Sequence, residues 1–245
     1  RLVFASDRCD RLADPWWDQA IPVRFQDGTR SVAAVVAACG DFVPDGVVAV
    51  GGRPAVLAAR LAGELRILWH TPESAATCRN KLAMRQVLYA AGLPTPWFVS
   101  MPIERDAERT LRRVEYPAVI KPLALSGSRG VMRVNDSGEL MTALERLRQL
   151  LDARDIRVEG DEAHGQALVE GFIAGAEDAV EGLLTRGTLQ LLAICDKPDP
   201  LDGPFFEETI YRMPSLASQE VQQRIAEAVA AASAALGLHH GAVHA

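Results

Sequence analysis

A lysine closing an apolar run, with a glycine loop just behind it, is the part of this sequence best suited to chemistry. The stretch Tyr116-Pro-Ala-Val-Ile-Lys-Pro-Leu-Ala-Leu-Ser-Gly-Ser-Arg-Gly-Val131 puts Lys121 at the end of a β-type segment, ahead of Ser126, Gly127, Ser128, Arg129 and Gly130. A lone lysine in such a run is costly to bury unless an anion meets it. Glycines free backbone N–H groups to wrap an anion, and Arg129 adds a permanently charged fork that suits phosphate. The same residues also make a plain hairpin whose lysine reaches to water. On this segment alone the two readings stand level.

Other candidates gain meaning only if the fold collects them. Lys81 lies in the helical stretch Cys78-Arg-Asn-Lys-Leu-Ala-Met84, and Lys197 follows the strand-like Ile194-Cys-Asp. Taken singly, such cations are usually solvated surface charges. Leu168-Val-Glu-Gly-Phe-Ile-Ala-Gly-Ala-Glu177 sets Glu170 and Glu177 around the apolar pair Phe172-Ile173. A flat apolar slot suits a purine and a carboxylate suits a ribose diol. Spacing alone, however, favours a strand–turn–strand with solvated glutamates. His240 and His244 could share a face, but neither H-E-x-x-H nor a supporting cysteine cluster accompanies them, so no metal ligand is assigned. The loop Asp196-Lys-Pro-Asp-Pro-Leu-Asp-Gly203 has acids at the wrong intervals for calcium and is interrupted by prolines. No P-loop, G-x-S-x-G elbow or G-x-G-x-x-G is present.

The elements that must position these residues change style along the chain. Leu2–Ala5 and Ile21–Phe25 read as strands, separated by an Asp-Pro turn and Trp16-Trp17. Val32, Val35, Val36 and Cys39 fall at helical spacing, and Gly46–Val50 is a further apolar run. Ala55–Leu65 reads as helix and Leu65–Trp69 as strand. Such alternation implies a parallel α/β sheet. Thr71-Pro72 opens a helix that runs through Ala91 and stops at Gly92 and Pro94. Pro96–Ser100, Ala118–Pro122 and Gly130–Val134 then read as strands, Ala107–Val114 and Ser137 to about Arg154 as helices, and Arg154–Gly165 as loop. The last third holds β-type runs at Ala167–Phe172, Ala179–Thr185 and Thr188–Asp196, with a hairpin at Arg186-Gly187 and a further strand at Thr209–Pro214. An alanine-rich helix capped by Ser218 follows and ends at Gly237.

With 245 residues, 49% of them hydrophobic and 24% charged, the composition is that of an ordinary globular protein. The net charge of −6 argues against a nucleic-acid-coating or membrane-binding surface, so a polyanion site must be a local cluster of cations. No run is long enough for a membrane span and no signal peptide is visible. Cys9, Cys39, Cys78 and Cys195 are scattered without a C-x-x-C pair, the pattern of free thiols in a reducing cytoplasm.

In order and spacing, these motifs resemble the ATP-grasp superfamily, nearest its carboxylate–amine ligases, including amino-acid ligases. Asn80-Lys-Leu-Ala-Met-Arg85 followed by Ala91-Gly-Leu-Pro-Thr-Pro96 is similar to the family's approach to its lid. Val119-Ile-Lys-Pro122 is similar to its second lysine motif, and Ser126–Val131 to its loop over the triphosphate. The resemblance implies that Lys81 meets the α-phosphate and Lys121 the α- and β-phosphates, under Ser126, Gly127, Ser128 and Gly130. It implies that the backbone of Glu170 and Ile173 meets the purine edge, that Phe172 helps form this hinge, and that Glu177 takes the ribose hydroxyls. Arg129, Lys197 and Glu208, the last in Gly203-Pro-Phe-Phe-Glu-Glu-Thr209, would act at the reacting groups.

The resemblance further implies an α/β and α+β fold: an N-terminal parallel α/β domain over 1–70, a helical connector over 71–95, a small α+β lid over 96–172 and an α+β core over 173–245. ATP and Mg²⁺ would be the cofactors, a small-molecule carboxylate and an amine the substrates, and the cytoplasm the location, with room for a homo-oligomer. The chain starts without Met in Leu2–Ala5, and Gly241–Ala245 reads as an unfinished strand. The family places its metal ligands just after that strand. The expectation is therefore an internal fragment lacking the first βα unit, with its Mg²⁺ ligands beyond Ala245, that binds ATP weakly and does not turn over.

Overall fold

The computed structural model describes residues 2–7, 20–104, 111–199, 203–206 and 210–245. Cys9, Trp16-Trp17, the start of the expected helix at 107–110, and Glu208 with Thr209 lie outside the described residues. In the N-terminal part, β1 (Phe4–Ser6) and β2 (Ala20–Pro22) pair in parallel, with Phe4 opposite Ala20. Two helices, α1 (Gly28–Cys39) and α2 (Gly52–Glu64), follow. The helical spacing read from the sequence puts Val35 and Cys39 inward, where they join Val23 and Leu57 in a small core.

Two apolar runs in this part are not strands. Gly46–Val50 pairs with no strand among the described residues, and Val48 and Val50 are exposed. The 65–69 run is spent on ending α2: Leu65 N–H reaches Leu61 O, Arg66 turns at φ 57°, and Ile67 N–H closes on Ala62 O at 2.8 Å.

The expected single helix from Thr71 to Ala91 is two. Thr71 caps α3 (Pro72–Arg79), its hydroxyl accepting from Ser74 N–H at 3.1 Å. Asn80 then leaves helical geometry at φ −97°, ψ 107°, and its side-chain oxygen accepts from Leu82 N–H and Ala83 N–H at 3.1 and 3.2 Å to start α4 (Lys81–Ala90). Asparagine competes with helical backbone by this type of bond, so it ends one helix and caps the next. The break sets Lys81 in the first turn of α4.

A four-stranded antiparallel sheet comes next, ordered β3 (Phe98–Pro102), β6 (Gln166–Gly171), β4 (Ala118–Pro122), β5 (Met132–Val134). Helix α5 (Ser137–Leu151) lies on one face and is capped by Asp136. Leu140, Leu144 and Leu147 from this helix are fully buried against Met101, Ile120 and Val169. The span read as loop over 154–165 holds a short helix, α6 (Arg154–Arg157), and a 3₁₀ turn (Glu162–Gly165), with Ile156 buried in the same core.

The last sheet is ordered β8 (Thr188–Lys197), β7 (Glu177–Thr185), β9 (Gly241–His244), also antiparallel. Its hairpin turns at Arg186 and Gly187, with φ of 51° and 83°, as a tight two-residue connection requires. Of the strand expected over Thr209–Pro214, the structure keeps one bridge, Arg212 to Asp196. Helix α7 (Gln219–Ala235) is capped by Ser218 and runs to β9. The whole is a mixed α/β and α+β structure, as the sequence implies.

Candidate functional site

Three elements bring their charges to one point. Helix α4 supplies Lys81 and, one turn later, Arg85; β4 supplies Lys121; β6 supplies Glu170. The β4–β6 register puts Val119 opposite Glu170 and Lys121 opposite Leu168. Arg85 Nε donates to Glu170 Oε2 at 2.8 Å and its Nη2 to Oε1 at 3.2 Å, while Lys121 Nζ also donates to Oε1. The Glu170 side chain is only 7% exposed. Burial opposes its charge, but the Arg85 hydrogen bonds and the Lys121 and Arg85 charges outweigh burial and hold the carboxyl below the usual glutamate range.

Lys81 is tied to the segment after β4. Its backbone N–H meets Leu123 O at 3.0 Å and its Nζ donates to Leu125 O at 2.6 Å. Burial first, then the neighbouring charge of Lys121, pushes its pKa down to about 8, with Glu170 pulling the other way and Arg79 adding to the fall. Two partly buried cations near enough to repel each other are a donor set that an anion would satisfy.

The glycine loop leads away from Leu125. Gly127, Ser128 and Gly130 all have positive φ, at 65°, 52° and 75°. The turn they make is closed by Val131 N–H, which donates to Ser128 O at 3.1 Å. Gly130 also packs tightly, since a Cβ there would come within 2.8 Å of both Leu147 Cδ2 and Leu150 Cδ2. Ser126 is exposed. Arg129 points to Asp155 at the start of α6, at 3.4 Å and largely exposed, so in this conformation the structure does not bring it to the lysines. Gly127 to Met132 line a cavity of about 600 Å³ together with Phe205 and Phe206.

The hinge segment shows a difference from the sequence reading. Glu170, expected to offer backbone and possess a solvated carboxylate on spacing alone, buries its side chain as the anchor of Arg85 and Lys121. Phe172 N–H bonds to Pro117 O at 3.1 Å, and its ring lies under Arg133, whose Cζ is 4.2 Å from the centroid. Ile173 is 69% exposed. Glu177 and Lys197 face each other on β7 and β8, Nζ to Oε1 at 2.5 Å, with Lys197 also 5.5 Å above the Tyr211 ring. Residues 171–176 separate this pair from Glu170 along the chain.

Asp196, beside Lys197, holds the following segment in place. It accepts from Arg212 Nη2 at 2.5 Å and from Leu216 N–H at 3.0 Å. Hydrogen bonds from Ser215, Leu216 and Arg212 keep its carboxyl well below the usual aspartate range. Across the strand pair, burial and then Asp196 itself push the Asp178 carboxyl up. Elsewhere His244 sits 2.7 Å from Glu181, across the β7–β9 pair.

Arg85 is the residue that sequence reasoning passed over. Its signal was available, because Lys81 and Arg85 at i and i+4 share a helix face. What could not be read was the carboxylate on β6 that both β4 and α4 would meet.

Comparison with known proteins identifies the family. A model of the ATP-grasp domain matches residues 114–245, more than half of the chain. An L-amino acid ligase from Bacillus licheniformis superposes with a TM-score of 0.78 at 30% identity, covering 92% of this chain and 53% of that one. A D-alanine–D-alanine ligase from Aromatoleum aromaticum is 28% identical over 166 residues, which is 67% of this chain and 50% of the relative. An uncharacterized protein, y4rH, from Sinorhizobium fredii is 45% identical over 69 residues, 28% of this chain and 14% of its own length. The chain therefore spans about half, or less, of the length of these three relatives. Lys121, Glu170 and the glycine loop fall within the matched sequence, and the matched fold extends over most of the chain: the chain belongs to the ATP-grasp domain family.

Proposed function

We propose that the protein is an ATP-dependent ligase that activates a carboxylate as an acyl phosphate, which an amine then attacks to release phosphate. The observation that carries this reading is the Lys81–Lys121 pair, Lys121 on the Glu170 that Arg85 also binds and Lys81 on Leu125 O, just ahead of the loop Gly127–Gly130. Phosphoryl transfer asks a protein mainly for positioning and for cations where charge spreads. Lys81 and Lys121 would hold the nucleotide phosphates, and the loop N–H groups would cover them. Phe172 and Ile173 would border the purine, with Glu177 at the ribose. Lys197 and Arg129 would serve the transferred group, and Glu208 the acceptor side. Arg129 would have to leave Asp155, and closure of the 96–172 unit on the 173–245 unit would exclude water from a hydrolysable acyl phosphate.

ATP fits the donor set. Among the described residues no three His, Cys, Asp or Glu gather to hold a metal. No described helix is long and apolar enough to cross a membrane, and we place the reaction in the cytoplasm, on small-molecule substrates.

The test is ADP release by the full-length protein against a panel of carboxylates, with and without amino acids. Release that needs both a carboxylate and an amine supports the ligase. Release with a hydroxyl compound alone would make it a kinase, and nucleotide binding without release under any condition would make it a binding module.

A pH dependence follows from Lys81. Its pKa near 8 means that it is charged below that pH and loses its proton above it, whereas bound phosphate needs the charge. ATP affinity should therefore fall by up to about tenfold between pH 7 and pH 9, the limit set by one proton. Calorimetric titration across that range checks this, and Lys81→Arg, which stays charged, should flatten the profile.

A further inference from the structure

Glu170 has two cationic partners of different kinds. Arg85 reaches both carboxylate oxygens, Nε to Oε2 and Nη2 to Oε1, whereas Lys121 reaches Oε1 alone. If Lys121 departs, each oxygen keeps a donor; if Arg85 departs, Oε2 loses its donor. Glu170 is buried between β3 and β4, so a half-covered carboxylate there would hold any remaining cation tightly. Arg85 is a planar fork that cannot lose its proton, while Lys121 is a compact charge on a flexible stem. Lys121 is also close enough to Lys81 for the two charges to oppose each other. Lys121 is thus the exchangeable partner and Arg85 the fixed one.

We propose that Arg85 is a positioning residue for Lys121: by covering both oxygens of the buried Glu170 carboxylate, it lets Lys121 leave that carboxylate for the phosphates of a bound nucleotide. This rests on the nucleotide reading above. Arg85 itself touches no nucleotide in this scheme. It sets how strongly Glu170 competes with phosphate for Lys121. A charge swap of this kind keeps the site folded without ATP, when Lys121 has an anion, and leaves no bare carboxylate when ATP takes the lysine away.

The experiment measures ATP affinity by calorimetry on the full-length protein, with circular dichroism and urea unfolding on each variant. Arg85→Met should weaken ATP binding about tenfold, because Lys121 becomes the sole counter-ion of Glu170. Adding Glu170→Gln to Arg85→Met should return most of that affinity, since the competing anion is gone. A merely structural arginine would show such a rescue in urea unfolding alone and leave the ATP affinity of the folded variants unmoved. Should Arg85→Met fail to fold, Arg85→Lys carries the test, with a loss of a few-fold that Glu170→Gln again reverses. Unchanged affinity in a folded Arg85→Met, or an equal loss in the single and double variants, would overturn the inference while leaving the nucleotide reading in place. A wild-type protein that binds no ATP would overturn the nucleotide reading and, with it, the inference.

Discussion

Lys121→Ala is expected to weaken ATP binding by roughly tenfold to a hundredfold, the range for losing one hydrogen bond to a charged group. The variant should stay folded. Its methyl group replaces a side chain that is 16% exposed, and Arg85 continues to cover both oxygens of Glu170. The affinity loss should also change the pH profile. With its like-charged neighbour gone, Lys81 loses the second-largest cause of its depressed pKa, so the decline in affinity should begin above pH 8 rather than near it. Titration calorimetry at two pH values separates this from a simple loss of contact area. Unchanged affinity would return the 116–131 segment to its reading as a glycine-rich hairpin.

That segment was legible because its chemistry is local. A lysine in an apolar run and glycines with positive φ are properties of a few neighbouring residues, and the structure keeps both. The caps at Thr71 and Ser218 and the hairpin at Arg186-Gly187 are legible for the same reason. Glu170 was not. Alternation reveals which way a side chain points only when one strand face is wet, and β6 runs between β3 and β4 with Ala167 through Glu170 all buried. Its partner Arg85 arrives from a helix 85 residues away in sequence, in a register set by the break at Asn80. The expected strand at Leu65–Trp69 failed in the opposite direction: an apolar run fixes preference, whereas a strand also needs a neighbour to pair with. Arg129 shows a third kind of limit, because a guanidinium on a loop takes whichever anion is near, and here that is Asp155.

Glu170→Gln should cost about 3 kcal/mol of folding stability at pH 7, toward the low end for breaking a buried ion pair. The glutamine keeps the shape, so the loss is electrostatic: Arg85, Lys121 and Lys81 then face one another with no anion among them. Partial exposure of Arg85 and Lys121 lets water reach both cations, which argues for the low end. The sign of the pH dependence follows from the direction of the Glu170 shift. A carboxyl held below the ordinary 4.5 stabilises the fold above that value and loses this contribution as pH falls through its folded-state pKa. The gap between wild type and Glu170→Gln should therefore be full at pH 7 and narrow on acidification below about pH 4.5, which urea unfolding at a series of pH values would measure. A gap independent of pH would mean that the variant acts through packing instead. Replacing Arg85 as well, by Met, should recover part of the lost stability, because the pair removed together leaves fewer unmatched charges than Glu170 removed alone. The same double variant is the one expected to regain ATP affinity, so stability and binding should recover together if one buried carboxylate governs both.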